Sequence, residues 1–313
     1  MKNSSRVFLR CRICQELKEG IKLKSYNLKI CHDCFLTFFR RRVQNTVAKF
    51  RMFKKDDNIL VAVSGGKDSV ALAKVLKDLG YRITLFHVNC RITEDNYSEI
   101  SQKKVEELAE REDLPLKIYS FEKEFPVDIK LAAKISRREI CAVCGMIKRY
   151  ILNRETKDFD VICTGHTLND EAANLLSSFI FWNDFFVRQY PVLEEKGSLK
   201  KRAKPLTFTF EQETKLFCEI LALPYNPNPC PLVGGSYLFF KKIVNEIESE
   251  MPSAIINFYK GFLKRKKSLG LIKRAEEIKL EPCERCGYLT VAKLCNFCRL
   301  HEKIQKYLGT LHQ

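Results

Sequence analysis

The sequence lacks any apolar run as long as the roughly 20 residues that a bilayer-spanning helix requires. Residues Met1 to Arg10 also lack the apolar segment of a secretory signal peptide. These two absences predict a cytosolic chain without a membrane span. Cytosolic proteins rarely carry disulfides, and the 14 cysteines therefore indicate metal ligands or catalytic thiols.

Negative charge is scarce relative to positive charge. The 313 residues include 38 acidic and 55 basic side chains, which gives a formal net charge of +17. A surplus of this size favours a polyanionic partner such as nucleic acid, because phosphate contacts release counterions. A generically basic surface is the alternative. The length suits about two domains, and the 45% of apolar residues suffices for a sizeable core.

Eleven of the 14 cysteines fall into three groups. The first consists of two CxxC pairs with 16 residues between them, namely Cys11, Cys14, Cys31 and Cys34. Two such pairs close a tetrahedral, structural zinc site, for which the nearby His32 is not needed. We predict an N-terminal zinc module over residues 1–50. Its basic helix is expected from Phe35 to Lys55, either as a solvated face or as a nucleic-acid contact.

A second group of four cysteines closes the chain. Two CxxC pairs with an eight-residue spacer are formed by Cys283, Cys286, Cys295 and Cys298. This spacing predicts another zinc ribbon. We assign residues 252–313 to a C-terminal unit of this ribbon and a helix from Ile255 to Leu269. Two ribbons beside basic segments suit the binding of a folded RNA by shape and phosphate contacts.

The chain is organised around a strand, a glycine turn and a helix near residue 65. The apolar run from Ile59 to Val63 predicts a buried parallel strand, and Asp68 to Leu79 carries a helical apolar stripe. The glycines between them allow close approach of a phosphate, to which the helix amides and Lys67 would point. The spacing is too short for a Walker A loop.

Further strands and helices alternate after this unit. Five are predicted, strands at 83–89, 116–121 and 161–164 and helices at 96–111 and 171–181. This alternation is typical of an α/β fold with a doubly wound parallel sheet, whose ligands bind at the carboxyl ends of the strands. We assign residues 51–251 to this catalytic domain.

The third cysteine group lies within the same domain. Cys141 and Cys144 open a helix, and Cys230 stands in a rigid loop between prolines. Three cysteines leave a zinc site incomplete but suit an iron–sulfur cluster with one open iron. Spacing alone does not separate this arrangement from a catalytic disulfide pair with a bystander cysteine. The remaining thiols, Cys90, Cys163 and Cys218, are predicted to be buried.

The motif from Ser64 to Ser69, Ser-Gly-Gly-Lys-Asp-Ser, resembles the PP-loop of the N-type ATP pyrophosphatases. Together with the three cysteine groups, it makes the chain similar to the tRNA 2-thiouridine synthetases. The resemblance is to the TtuA-like branch, the tRNA-5-methyluridine 2-sulfurtransferases, which are related to archaeal and eukaryotic wobble-uridine thiolases. It implies that Cys141, Cys144 and Cys230 hold a [4Fe–4S] cluster whose open iron carries sulfur.

The resemblance also implies roles for single residues. Lys67, Lys148 and Asp170 would be catalytic, and Asp170 would help to hold Mg²⁺ or the nucleotide. The residues expected to bind ATP are Val63, Ser64, Gly65, Gly66, Lys67, Asp68, Ser69, His87, Asn89, Gly165 and His166. The sequence departs from the family where Thr167 and Asn169 replace an asparagine and an aspartate. Asn169 keeps an oxygen ligand without the charge of a carboxylate.

The implied reaction is ATP-dependent adenylation of uridine O2, followed by replacement of AMP by sulfur. The implied cofactors are ATP, Mg²⁺, the cluster and two Zn²⁺. The implied partners are tRNA and a sulfur donor, either a thiocarboxylated ubiquitin-like protein or sulfide. A T-loop uridine is the favoured target and the wobble uridine the second choice.

The family also implies a homodimer. The aromatic segment from Phe179 to Phe186, which carries the single tryptophan, predicts core or dimer interface rather than a base-stacking platform.

Three rival functions remain. The terminal ribbons argue against a tRNA cytidine thiolase, and the three central cysteines argue against a tRNA lysidine synthetase. A non-catalytic RNA-binding scaffold with a relic PP-loop is the third, and Asn169 is the residue that favours it.

Overall fold

The N-terminal part of the protein is a small antiparallel sheet followed by a helix. The structure, a computed structural model, describes residues 8–182, 186–197, 199–266, 268 and 279–311. The first elements are β1 (Phe8–Arg10), β2 (Leu17–Leu23), β3 (Leu28–Cys31) and α1 (His32–Lys49). The three strands pair in the order β1-β2-β3, which the sequence analysis did not predict.

The basic helix α1 is displaced from its predicted bounds. It begins at His32 and ends at Lys49, so the prediction of a helix to Lys55 was wrong. Arg51 adopts a left-handed backbone conformation with φ of 47°. The amides of Arg51 and Met52 donate to the carbonyls of Ala48 and Val47, which is the hydrogen-bond pattern of a Schellman C-cap. The basic residues after Phe50 therefore lie outside the helix.

The centre of the molecule is a six-stranded sheet with helices on both faces. In chain order its elements are β4 (Ile59–Ala62), α2 (Lys67–Asp78), β5 (Ile83–Asn89), α3 (Tyr97–Arg111), β6 (Leu116–Ser120), α4 (Ile129–Ser136), α5 (Ile140–Arg154), β7 (Val161–Thr164), α6 (Leu168–Ile180), β8 (Val192–Leu193), β9 (Lys201–Ala203) and α7 (Glu211–Ile220). The strand order is β6-β5-β4-β7-β9-β8, and all pairs are parallel except β8 with β9. The predicted doubly wound sheet is confirmed.

Both faces of the central strands are buried. Ile59 and Val61 of β4 pack into one core with α1, α2, α3 and α7, whereas Leu60 packs into a second core with α4 and α5. All three side chains are fully buried, and each such burial stabilises the fold by about 1.5–3 kcal/mol. A strand that is covered on both sides must be continuously apolar, which explains why this run was recognisable.

A third core lies beyond the carboxyl ends of the strands. It joins α6 to α8 (Ser236–Glu250) and α9 (Ala254–Arg265) around the buried Tyr259. The Tyr259 hydroxyl donates to the Gln189 carbonyl 2.5 Å away. The helix predicted from Ile255 to Leu269 ends at Arg265, and Leu269 lies outside the described residues. The domain limit near Pro252 stays a prediction.

The C-terminal unit packs against the α4–α5 face of the domain. It comprises β10 (Glu281–Pro282), β11 (Leu289–Thr290) and α10 (Asn296–Leu311). Phe297 stacks on Tyr150 of α5, with ring centroids 3.7 Å apart, and Ile304 is fully buried. Of the helices that the structure describes, none combines the length and apolar character that crossing a bilayer demands.

Candidate active site at the carboxyl ends of the strands

The predicted phosphate loop forms a tight turn between β4 and α2. The Ser69 hydroxyl accepts from the Ser64 amide at 3.1 Å and donates to the Gly66 carbonyl at 2.9 Å. Gly65 has φ of 87°, and a Cβ there would approach the Ser101 carbonyl to 2.6 Å. Glycine is therefore required at this position. The first amides of α2 remain free of intrahelical partners, as a phosphate site needs.

The turn after β7 lies directly against this loop. A Cβ on Gly165 would come within 2.9 Å of the Ser69 amide, so the two turns touch through backbone alone. His166 follows, with its Nδ1 atom 2.8 Å from the Thr164 hydroxyl. The residues expected to bind ATP after β4 and after β7 are thus brought together, and their roles stay predictions.

The end of β5 supplies the other expected nucleotide contacts. His87 Nδ1 lies 2.8 Å from the Val63 carbonyl, and its buried Nε2 atom has no partner among the described residues. Asn89 is less available, because its amide donates to Gln102 and its oxygen accepts from the Arg91 amide. Arg91 has φ of 52°, a conformation that favours glycine.

Lys67 lies between two carboxylates. Its Nζ atom is 3.0 Å from Asp68 Oδ2 and 2.6 Å from Glu211 Oε1. Burial lowers the pKa of Lys67, but these two carboxylates outweigh it and raise the pKa above its usual value. The lysine is therefore fully charged at neutral pH. Glu211 was not among the predicted site residues.

Asp170 is held by four donors. Burial raises its pKa, but Lys241 and the Tyr237 hydroxyl outweigh that effect and hold the pKa well below its usual range. One oxygen accepts from the Thr167 amide and hydroxyl, both at 2.9 Å, and the other from Tyr237 at 2.6 Å and Lys241 at 2.9 Å. Asp170 is thus an anion, and each of its two oxygens accepts two hydrogen bonds from the protein.

The helix that carries Asp170 begins earlier than predicted. The turn from Gly165 was expected to end at Asp170, but α6 begins at Leu168 and Asp170 lies in its first turn. Thr167 and Asp170 form a reciprocal capping box, which stabilises the start of the helix. Thr167, which departs from the family pattern, is therefore the N-cap.

Asn169 has a structural explanation. Its oxygen accepts from the Glu211 amide at 3.0 Å, and its nitrogen donates to Asn245 Oδ1 at 2.8 Å. An ionised aspartate could accept from Glu211 but could not donate to Asn245. The amide therefore suits this buried position, where it ties α6 to α7 and α8.

The three central cysteines form a second site, called the thiol site below. Cys141 is exposed in the first turn of α5, whereas Cys144 and Cys230 are half-buried. Cys141 Sγ lies 3.9 Å from the Leu232 carbonyl in the loop that carries Cys230. Within the described part of the chain, these three sulfurs are not all within 4.8 Å of one another. Three thiols at wider spacing suit a polynuclear iron–sulfur cluster better than a single tetrahedral ion.

Cys90 and Lys148 both contact Cys144 at the thiol site. Cys90 is buried as predicted, but it lies one residue beyond β5 and its Sγ atom is 3.6 Å from Cys144 Sγ. This contact lowers the pKa of Cys144 to about 5, with help from the charge of Lys148. Lys148 is half-buried, and the sulfurs of Cys144 and Cys90 raise its pKa. The role of Lys148 stays a prediction.

The two terminal four-cysteine groups have a different geometry. Within each group the four sulfurs lie within 4.8 Å of one another. Cys14 and Cys31 are 3.8 Å apart, and Cys286 and Cys295 are 3.7 Å apart. Zn–S bonds of about 2.3 Å in a tetrahedron place the sulfurs at about this separation. Both groups therefore suit a single ion.

Comparison with known proteins extends over nearly the whole chain. Residues 36–181 match the family described as PP-loop domain. The chain is 37% identical over 304 residues to the tRNA-5-methyluridine(54) 2-sulfurtransferase of Thermotoga maritima, covering 95% of this chain and 98% of that protein. It is 35% identical over 295 residues to the protein of the same name from Pyrococcus horikoshii, covering 93% of each.

A solved structure shares the fold over a similar extent. The U34-tRNA thiolase NcsA from Methanococcus maripaludis, solved with its [4Fe–4S] cluster, superposes with a TM-score of 0.77 at 25% sequence identity. The match covers 95% of this chain and 96% of that one. The likeness therefore includes both terminal units as well as the PP-loop domain.

Proposed function

The chain belongs to the PP-loop family of tRNA 2-sulfurtransferases, and from this premise we propose that it thiolates carbon 2 of a tRNA uridine with consumption of ATP. The proposal rests on one observation, namely that two sites lie at the ends of adjacent strands. The phosphate turn with its charged lysine follows β4, and the thiol site begins with Cys90 at the end of the adjacent β5. One site suits activation of the base, and the other suits sulfur delivery.

Activation of the base would occur at the phosphate turn. The uridine O2 atom would attack the α-phosphorus of ATP, forming an adenylated base and releasing pyrophosphate. The amides at the start of α2 and the ammonium of Lys67 would stabilise the negative charge that develops on the phosphates. The unpartnered Nε2 of His87 supports a nucleotide contact at the end of β5. Mg²⁺ would be held by the carboxylates of Asp68 and Glu211, which both contact Lys67 at the phosphate turn.

Sulfur delivery would occur at the thiol site. Cys141, Cys144 and Cys230 would hold a [4Fe–4S] cluster, which when bound supplies an iron with an open position for sulfur. Lys148 would stabilise negative charge on sulfur, because its ammonium lies beside Cys144. The sulfur donor would be a thiocarboxylated ubiquitin-like protein or sulfide. We place the reaction in the cytoplasm.

We propose a T-loop uridine as the target, since both relatives described above are named for position 54. The wobble uridine is the second candidate, supported by the fold of the U34 thiolase. The two candidates can be distinguished with two tRNA variants, one without the uridine at position 54 and the other without the wobble uridine. Each is incubated with the protein and digested, and its nucleosides are analysed by mass spectrometry. A 2-thiouridine that disappears only when position 54 is changed supports the proposal.

Replacement of Lys67 by methionine tests the ATP chemistry. We expect AMP formation in the presence of tRNA to fall by about 10²–10³-fold, because a charged donor at the phosphates is lost. Chromatography of the nucleotides measures this. Lys74→Met is the control, since Lys74 lies on the same helix and pairs with Asp78 and Glu112. If the wild-type protein itself released no AMP, the relic-scaffold reading would replace the proposal.

The terminal four-cysteine groups would each bind one Zn²⁺ and present the ribbons to tRNA. This assignment rests on sulfur separations that match a tetrahedral ion. Zinc analysis of the purified protein should give two zinc ions per chain, and this content should not change on exposure to oxygen.

We also propose a homodimer formed through an aromatic patch of Phe181, Trp182 and Phe239. These side chains are 64%, 73% and 61% exposed, and Phe181 and Phe239 both contact Phe240. Exposed apolar area of this kind typically marks an interface.

Trp182→Ser combined with Phe239→Ser should convert the dimer to a monomer, because the central apolar contacts of the interface are removed. Light scattering after gel filtration measures the mass. Val291→Ser is the control, since Val291 is 69% exposed but lies in the C-terminal ribbon. A wild-type chain that is monomeric at micromolar concentration would contradict the assignment.

A further inference from the structure

Two lysines from distant parts of the chain meet on one carboxylate beside the phosphate turn. Lys67 Nζ lies 2.6 Å from Glu211 Oε1, and Lys241 Nζ lies 3.0 Å from Glu211 Oε2. The carboxylate thus presents two anionic oxygens to two ammonium groups, as two oxygens of a phosphate would. Lys67 belongs to the proposed ATP site, whereas Lys241 has no assigned role.

We propose that Lys241 is a second phosphate-binding residue of the ATP site, which together with Lys67 holds the pyrophosphate part of ATP. The inference rests on the proposed function, because it adds a residue to the same site. Glu211 keeps the two ammonium groups together before the nucleotide binds. The PP-loop motif does not reveal Lys241, which follows it by more than 170 residues.

The charges around Glu211 explain how the lysines become available. Lys67 and Lys241 face the carboxylates of Asp68, Asp170 and Glu211, which leaves one uncompensated negative charge. An anionic phosphate is repelled from such a cluster. Asp68 and Glu211 carry carboxylate oxygens that would hold Mg²⁺, whose two positive charges would make the net charge of this group positive. Both ammonium groups can then turn to phosphate oxygens.

The helix α8 fixes Lys241 at this place. Tyr237, one turn earlier, donates to Asp170, and the Lys241 ammonium lies 5.7 Å from the centre of the Tyr237 ring. The Lys241 side chain is 18% exposed and lines a pocket together with Glu211 and Tyr237. The adjacent Lys242 is 78% exposed and lies 3.9 Å from Glu246 on its own helix. The contacts of Lys241 are therefore specific to its position.

A role confined to neutralising Asp170 is the competing explanation. Asp170 would then lose a partner in a Lys241 variant, and the site would be disturbed for every ligand alike. A phosphate contact affects only ligands that carry the phosphates. Comparing pyrophosphate with adenosine therefore separates the two explanations, and neither ligand depends on the cluster or on tRNA.

The experiment is calorimetric titration of the full chain with magnesium pyrophosphate, MgATP and adenosine. For Lys241→Met we expect both phosphate ligands to bind about 10- to 100-fold more weakly, as the loss of a charge-assisted hydrogen bond implies. Adenosine affinity should change by less than about twofold, within the spread of a surface substitution. Lys242→Met is the matched control and should bind all three ligands as the wild type does.

Lys241→Gln is the second variant, because its amide can still donate to the buried Asp170 if the methionine variant fails to fold. It should show the same selective loss. Equal weakening of adenosine and pyrophosphate, or unchanged pyrophosphate binding, overturns the inference while leaving the proposed function intact. A wild-type chain that binds no MgATP would instead remove the proposed function itself.

Discussion

Replacing Cys144 by alanine is expected to abolish both iron binding and tRNA thiolation. Cys144 contributes one of only three thiols that would hold the cluster, and it also contacts Cys90 and Lys148. Loss of a ligand from a three-cysteine site leaves two, which is too few for a [4Fe–4S] cluster. Protein purified without oxygen should carry about four irons in the wild type and none in the variant. Iron and acid-labile sulfide analysis measures this directly.

The phosphate site should survive this substitution. Cys144 lies on α5, whereas the phosphate turn is formed by β4 and α2, so MgATP binding is expected to be unchanged. Cys163→Ala is the matched control, because this thiol is fully buried and lies on β7 within the other core. It should retain iron and thiolation. A wild-type chain that holds only zinc, without iron, would refute the cluster and leave a persulfide route through the same cysteines.

The sequence predicted those parts of the site that are local in the chain. The phosphate turn has an apolar strand before it and an amphipathic helix after it, so residues 59–79 sufficed. The same holds for the CxxC pairs, whose two sulfurs are close by covalent spacing. Both signals arise from backbone constraints that act over a few residues.

Contacts between distant residues were not predictable in this way. Tyr237 and Lys241 reach Asp170 across 67 and 71 residues, and Cys90 reaches Cys144 across 54. No periodicity links such pairs, because they meet only after the sheet has assembled. The sequence predicts a buried thiol at Cys90 but contains no signal for its contact with Cys144.

The predicted limits of two helices were wrong. Arg51 ends α1 in a left-handed conformation that normally signals glycine, so the basic run gave no stop signal. Thr167 caps α6, although the sequence suggested a longer turn. In both cases the helix limit is set by hydrogen bonds of backbone amides, which the residue types along the sequence did not reveal.

The N-terminal cysteine group is expected to stabilise the catalytic domain as well as its own ribbon. Cys31 is 1% exposed and is the N-cap residue of α1, which continues into the main core through Phe35 and Phe39. Phe39 stacks on Phe217 of α7, with ring centroids 4.3 Å apart. Release of a zinc ion would therefore loosen the face of the sheet that carries the phosphate turn.

We expect Cys31→Ser to remove one zinc and to lower the free energy of unfolding by more than about 3 kcal/mol, since a structural zinc contributes roughly 10–16 kcal/mol in small modules. Urea denaturation followed by circular dichroism, with zinc analysis of the same samples, measures both effects. Loosening of α1 would also weaken a second contact with α7, the buried ion pair of Arg42 with Glu213 at 2.8 Å. An unpaired Glu213 would be costly in that core.

Cys218→Ala separates the metal from ordinary packing. Cys218 is fully buried in the same core, and its thiol donates to the Lys67 carbonyl. Its loss should cost about 1 kcal/mol and leave the zinc content unchanged, as is usual for a small buried substitution. If both variants lowered the free energy of unfolding equally, Cys31 would stabilise the protein by packing in the core and not as a zinc ligand. If Cys31→Ser lowers the free energy of unfolding more than Cys218→Ala does, the difference is due to the ion, provided that it disappears when the zinc is first removed from the wild type.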